Sequence, residues 1–228
     1  MILFSYNFYH KKTADIINYL VLNKIKIDLI IAANKKDLNL PEKPFTIKVN
    51  NSSDVHPSDI AKRHNIPYII EDHNSDVVES ELNKIKPKIG LITGARIIKK
   101  SIIDLFQIGI INFHPGDIPH VRGLDSILKA IKLNHKIVVT SHLIDVNIDA
   151  GYIIDKEEID INIDDKIEDV YCKVYDTQVK ILLVSIKKAL NKEFKKIDIS
   201  GYQYDKHFPY ESKSRLLEDF ENYKKYYS

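Results

Sequence analysis

Short apolar runs alternate with amphipathic segments through the first half of this chain, and that alternation limits the fold more than any other feature. Residues 1–6, 27–33, 67–70 and 88–93 are apolar runs of strand length. Residues 11–24, 57–64, 77–85 and 99–106 lie between or after them and predict helices. In the first of these, Ile16, Ile17, Leu20 and Val21 fall at helical spacing. Repetition of strand and helix predicts an α/β fold: a Rossmann-like, mostly parallel twisted sheet with flanking helices.

Further elements are less regular. Residues 45–49 alternate and predict another strand, and Ser53 or Asp54 is expected to cap the helix over 57–64. A helix is predicted over 124–133, then β-rich runs over 136–145 and 151–161. Asp164 or Asp165 is the expected cap of one long helix reaching about residue 190. From Lys195 the character changes to an aromatic stretch and a charged helix over 212–223. The expected division is therefore a catalytic domain over 1–192 and a C-terminal appendage over 193–228, made of strand or loop plus helix.

Composition narrows the function classes. The 228 residues carry 44% hydrophobic and 29% charged side chains, ordinary for a globular protein. No run of 18 apolar residues occurs, so no membrane partner is expected. The net charge of +2 does not favour a nucleic-acid surface. The first six residues lack the basic region and cleavage site of a signal peptide, and the single cysteine, Cys172, fits a reducing cytoplasm. Metal is not expected: one cysteine excludes a multi-cysteine site, and His10, His56, His64 and His73 are scattered and read as surface residues.

The chemistry points to one stretch. After the apolar run Ile108-Gly109-Ile110-Ile111 comes Asn112-Phe113-His114-Pro115-Gly116-Asp117-Ile118-Pro119-His120-Val121-Arg122-Gly123. Asn112 and His114 are two apart, so at a strand end they face one side. A polar pair at the carboxyl end of a parallel strand is where α/β proteins place their chemistry. An imidazole exchanges protons near neutral pH and an amide donates without changing charge, a pair suited to a carbonyl carbon. The same two residues suit a loop whose carbonyls need donors. A second segment, Asp145-Val146-Asn147-Ile148-Asp149-Ala150-Gly151, offers two carboxylates to orient the histidine, or simply builds a turn.

Taken together, Asn-x-His-Pro, the later Pro and Arg-Gly, and the Asp-Ala-Gly turn resemble the folate-dependent formyltransferase family. The segment Gly94-Ala95-Arg96-Ile97-Ile98 is similar to that family's pterin-binding loop. The resemblance spans about residues 88–155. It implies a catalytic triad of Asn112, His114 and Asp149, because the family aspartate directly precedes a small residue and glycine. It implies N10-formyltetrahydrofolate as co-substrate, contacted by Gly94, Arg96, Ile97, Ile98 and Asn147. It implies formyl transfer to an amine, with no metal.

The acceptor is read from departures. After the first strand stands Ser5-Tyr6-Asn7-Phe8-Tyr9-His10, without the glycines of a phosphate loop, which disfavours the family's purine-pathway branch. About 40 residues follow the long helix and are not strongly basic, which disfavours a tRNA acceptor. The sugar-nucleotide N-formyltransferase branch is left, implying a dTDP-linked amino-dideoxysugar for surface polysaccharide such as lipopolysaccharide O-antigen. The alternatives are phosphoribosylglycinamide formyltransferase and a formyltetrahydrofolate hydrolase. The hydrolases of this family carry an additional N-terminal domain, not found in this sequence. Asn7, His10, Arg122, Tyr202 and Tyr204 are the expected acceptor contacts. The aromatic tail suits nucleobase stacking, and equally packing onto the body or across a homodimer interface, the expected oligomer.

Overall fold

A computed structural model describes residues 1–37, 42–49, 55–202, 204 and 207–228. Eight strands form one mostly parallel mixed sheet, and the strands are β1 (Ile2–Tyr6), β2 (Leu29–Ala33), β3 (Tyr68–Ile70), β4 (Ile89–Ile92), β5 (Gly109–His114), β6 (Val138–Leu143), β7 (Tyr152–Glu158) and β8 (Lys195–Lys196). Their order is β3-β2-β1-β4-β5-β6-β7-β8. The α/β Rossmann-like expectation is therefore met. The chain resolves into two compact units, one of residues 1–38, 50–112 and 143–146, the other of 39–49, 113–142 and 147–228.

The first unit holds the parallel ladder. β1 pairs with β2 and with β4, and β2 pairs with β3, all parallel. Ile2, Leu3 and Phe4 are fully buried, as expected of a strand covered on both faces. Helices α1 (Lys11–Leu22), α2 (Pro57–Arg63), α3 (Asp76–Ile85) and α4 (Lys100–Ile103) follow β1, β2, β3 and β4 in the chain. Phe4, Ile31, Val78, Leu82, Ile102, Phe106 and Ile110 share one apolar cluster. The helix predicted over 99–106 is a single turn, because Leu105 and Phe106 donate to carbonyls three residues back, a tighter winding. The expected caps Ser53 and Asp54 lie outside the described residues, and His56 caps α2 by accepting from the Ser58 amide at 3.2 Å. His73 is not a surface residue: it is 2% exposed, and its Nε2 lies 2.9 Å from the Ser5 carbonyl.

The second unit adds α5 (Ser126–Lys132), α6 (Ile167–Lys180), α7 (Leu182–Leu190) and α8 (Lys213–Tyr227). The single helix predicted to residue 190 is two, divided at Ile181, whose amide still bonds Thr177 O at 3.0 Å. Its cap is Lys166, not an aspartate: Asp165 instead receives the Asn162 amide and the Lys173 ammonium, while Asp169 receives the Lys166 amide. Residues 45–49 form no strand. That segment packs through side chains, with Phe45 edge-on to Phe208 at 5.0 Å and Lys43 paired with Asp125. The tail packs in this unit too: Tyr210, Leu216, Phe220 and Tyr223 are buried, and the Tyr223 hydroxyl donates to His135 O at 3.0 Å.

Candidate active site

β5 ends in Asn112, Phe113 and His114. Alternation turns Phe113 into the core, where it is 2% exposed, and sends Asn112 and His114 to the other side. The Phe113 carbonyl is held by Gln178 Nε2 at 3.1 Å, which anchors the strand end on α6. Asn112 is half-buried and His114 is 4% exposed.

Asp149 lies against His114. Its Oδ1 lies 3.3 Å from His114 Nδ1. Its Oδ2 accepts from the Gly123 amide at 2.7 Å. The turn that carries it is tight: Asp149 has φ 45° and Gly151 φ 102°, a pairing of Asp and Gly suited to left-handed backbone. On its far side, His114 Nε2 lies 3.0 Å from the Val121 carbonyl and 3.2 Å from Ser126 Oγ. The protein therefore engages both ring nitrogens. Ser126 Oγ also donates to the Gly123 carbonyl at 2.6 Å, closing the loop after β5 on itself.

Arg122 is buried in this arrangement. Its Nε donates to the carbonyls of Ile148 and Asp149, both at 3.0 Å, and a second nitrogen reaches Ile148 O as well. Nη1 lies 3.4 Å from the Tyr202 carbonyl. The guanidinium is thus spent on backbone acceptors. Tyr202 is 41% exposed and Tyr204 half-buried. Asn147 is exposed, in the same turn as Asp149.

The remaining predicted residues lie in the first unit. Gly94 follows β4, and a Cβ there would meet the Tyr6 ring at 2.6 Å, so only glycine lets the two segments approach. The Tyr6 hydroxyl donates to Ala95 O at 3.0 Å. Arg96 donates to Asn34 O at 2.7 Å, and Asn7 Nδ2 donates to Asn34 Oδ1 at 2.8 Å. Asn74 grips the loop from beside α3: its amide donates to Ile97 O at 2.9 Å and its Oδ1 accepts from Lys99 N at 2.7 Å. Ile98 is buried, while Ile97 stands 70% exposed as an apolar surface. His10 contacts Thr13 at 2.8 Å, and burial, reinforced by the charge of Lys12, pushes its pKa down to about 4. Burial likewise pushes Lys12 down to about 8.

Sequence reasoning missed Asn34, Asn74 and Ser126, whose partners are distant in the chain or backbone atoms. Ser126 alone carried a signal, its place twelve residues after His114 at the start of a predicted helix.

The mostly parallel sheet ends one strand in Asn-x-His with a carboxylate against the imidazole, an arrangement suited to chemistry at a carbonyl carbon. Residues 43–186 match the family described as formyl transferase, and the chain belongs to that family. It is 25% identical over 148 residues to a methionyl-tRNA formyltransferase of Pseudothermotoga lettingae, covering 64% of this chain and 47% of that protein. With the counterpart from Alkaliphilus oremlandii the identity is 28% over 139 residues, 58% of this chain and 44% of that one. The chain spans about half the length of the curated relatives it matches.

Solved structures share the fold. Phosphoribosylglycinamide formyltransferase from Bacillus halodurans superposes with a TM-score of 0.63 at 21% identity, covering 85% of this chain and 97% of that one. An N-formyltransferase from Helicobacter canadensis, in complex with folinic acid and dTDP-3-aminofucose, gives 0.62 at 21% identity, covering 89% and 70%.

Proposed function

We propose that this protein transfers a formyl group from N10-formyltetrahydrofolate to the amine of a nucleotide-linked amino sugar, a dTDP-amino-dideoxysugar, for surface polysaccharide synthesis in the cytoplasm. The observation that carries formyl transfer is the contact of Asp149 with His114 at the end of β5, in a chain of this family. Support for the sugar comes from the glycine-free segment after β1 and from the amino-sugar nucleotide bound to the Helicobacter canadensis protein.

The acceptor amine attacks the formyl carbon. A carbon–nitrogen bond forms to the amine, and the bond to N10 of the folate breaks. Asn112 donates its amide to the oxyanion of the tetrahedral intermediate. Asp149, held by Gly123 N and His114, takes the proton lost by the amine and passes it to the departing N10. His114 is committed to the protein on both ring nitrogens in this conformation, so its part as an oxyanion donor requires exchange of the Val121 contact. Residues 94–98 cradle the pterin through the backbone. Arg122 receives a different role from the substrate contact expected of it: with its donors on Ile148 O and Asp149 O, it positions the turn bearing Asp149.

One assay tests the reading: incubation with N10-formyltetrahydrofolate alone, with a panel of nucleotide-linked amino sugars, and with glycinamide ribonucleotide. Tetrahydrofolate release only with an amino sugar is the expected result. Release without any acceptor favours a hydrolase, release with glycinamide ribonucleotide favours the purine reaction, and no release with any acceptor sinks the proposal.

A further inference from the structure

We propose that Asp117, His120 and His135 bind one divalent transition-metal ion, with zinc as the ion their chemistry fits. The three residues stand outside the His114–Asp149 pair, and the formyl-transfer reading makes no use of them. Their ligand atoms all lie within 4.8 Å of one another. Asp117 Oδ2 is the focus: His135 Nε2 approaches it at 2.8 Å and His120 Nδ1 at 3.4 Å. The two imidazole rings lie 4.9 Å apart, tilted by 31°, so both present a nitrogen edge to the same oxygen.

The donor set selects the ion. One carboxylate oxygen and two imidazole nitrogens suit zinc, whereas calcium and magnesium take oxygen ligands. Bonds of about 2.0–2.2 Å in a tetrahedron place neighbouring ligand atoms roughly 3.3 Å apart. The Asp117–His120 separation already meets that spacing, and small side-chain rotations of the two histidines supply the rest. The Asp117 side chain is 14% exposed, so it is a fixed anchor, while His120 at 45% and His135 at 32% leave a path for the ion and room for a water as fourth ligand. Burial works against the Asp117 charge, but hydrogen bonds from Lys156 and His135 outweigh it and hold the carboxyl below its usual range. Lys156 occupies the other carboxylate oxygen, where it competes for the same negative charge.

The place of the site gives it a consequence. Asp117 and His120 belong to the loop after β5, and His135 follows α5. Thr140 Oγ1 already donates to the Gly116 carbonyl at 2.7 Å on one side of this loop. The same loop supplies Val121 O to His114 and Gly123 N to Asp149. A metal tying residues 117 and 120 to residue 135 stiffens the segment that holds both.

The test is zinc titration by calorimetry of the full chain freed of metal by a chelator, with cobalt as an optical probe. One zinc per chain is expected, and cobalt should give the visible absorption of a four-coordinate nitrogen–oxygen site. His120→Ala and His135→Ala should each weaken zinc binding by more than about 10- to 100-fold, the loss typical of a partner one shell further out. Both side chains are partly exposed, so circular dichroism should stay unchanged. Lys156→Met should tighten binding by freeing the carboxylate. No stoichiometric zinc, or zinc uptake that survives the double histidine variant, overturns the site. Unchanged affinity in Lys156→Met removes Asp117 from the ligand set and overturns it as well.

Discussion

Asp149 holds His114 with one carboxylate oxygen, at 3.3 Å from Nδ1, while its other oxygen is held by the Gly123 amide at 2.7 Å. The aspartate therefore links two segments of one unit, the end of β5 and the loop that follows it, from a backbone position with φ 45°. Asparagine tolerates that backbone, so Asp149→Asn removes the charge with the turn intact. Formyl transfer from N10-formyltetrahydrofolate should fall by more than about 100-fold, comparable to loss of an oxyanion donor, with the melting temperature little changed. Steady-state kinetics beside a thermal melt checks this, and near-normal turnover would remove Asp149 from the reaction.

Asn112 gives a second prediction. It donates without titrating, so Asn112→Ala should lower kcat by about 100- to 1000-fold at every pH, leaving the shape of the pH–rate profile intact. A changed profile with little loss of rate would assign Asn112 to structure.

Arg122 separates positioning from contact. Arg122→Lys keeps the charge but loses the fork that reaches Ile148 O and Asp149 O together. A displacement of Asp149 of about 1 Å would cost roughly 100-fold in kcat. KM for the acceptor should be unaltered. A rise in KM with constant kcat would instead mark Arg122 as a direct acceptor contact. Arg122→Ala should also destabilise the fold by about 1–3 kcal/mol, because buried carbonyls lose their donor.

Gly116→Ala probes the other side of the histidine. The added methyl would stand 2.6 Å from His114 Nε2 and 2.6 Å from the Val121 carbonyl. Neither atom is the end of a flexible chain, so the ring must turn off Asp149 or the loop must open. Loss of transfer activity together with a lowered melting temperature is expected. Full activity would show that the ring has another stable setting.

Two desolvated histidines set an acid limit. Burial lowers the His10 pKa from 6.5 to about 4, with Lys12 adding to the effect, and lowers that of His73. Between pH 6.5 and about 4 the unfolded chain binds more protons at His10 than the folded one, and the lowered His73 acts in the same direction. Stability therefore falls as pH drops through that window and is recovered above 6.5. For the partly exposed His10 the screened effect is on the order of 1 kcal/mol. Urea unfolding at pH 7 and pH 4.5 measures it, and His10→Gln should reduce the difference. An unchanged difference would place the acid sensitivity elsewhere.

β1 and β2 were legible because burial on both faces writes itself as uninterrupted apolar runs, as in Ile2, Leu3 and Phe4. Period-2 alternation likewise placed Asn112 and His114 on one side of β5. The Asp-Ala-Gly turn was legible because a left-handed backbone demands such residues. Residues 45–49 misled: alternation marks a segment that buries one side, and Phe45 does so against Phe208 without any ladder.

What depended on tertiary structure is what depends on partners far along the chain. Residues alone left Asp145 and Asp149 open, and only the fold brings one carboxylate to 3.3 Å from His114. Arg122 was expected as an acceptor contact, and folding buries it among carbonyls supplied 26, 27 and 80 residues away. His120 and His135 looked unrelated in sequence and converge on one oxygen of Asp117. Periodicity encodes which face of an element is apolar. Which polar atoms meet across elements is set by packing, and no local pattern records it.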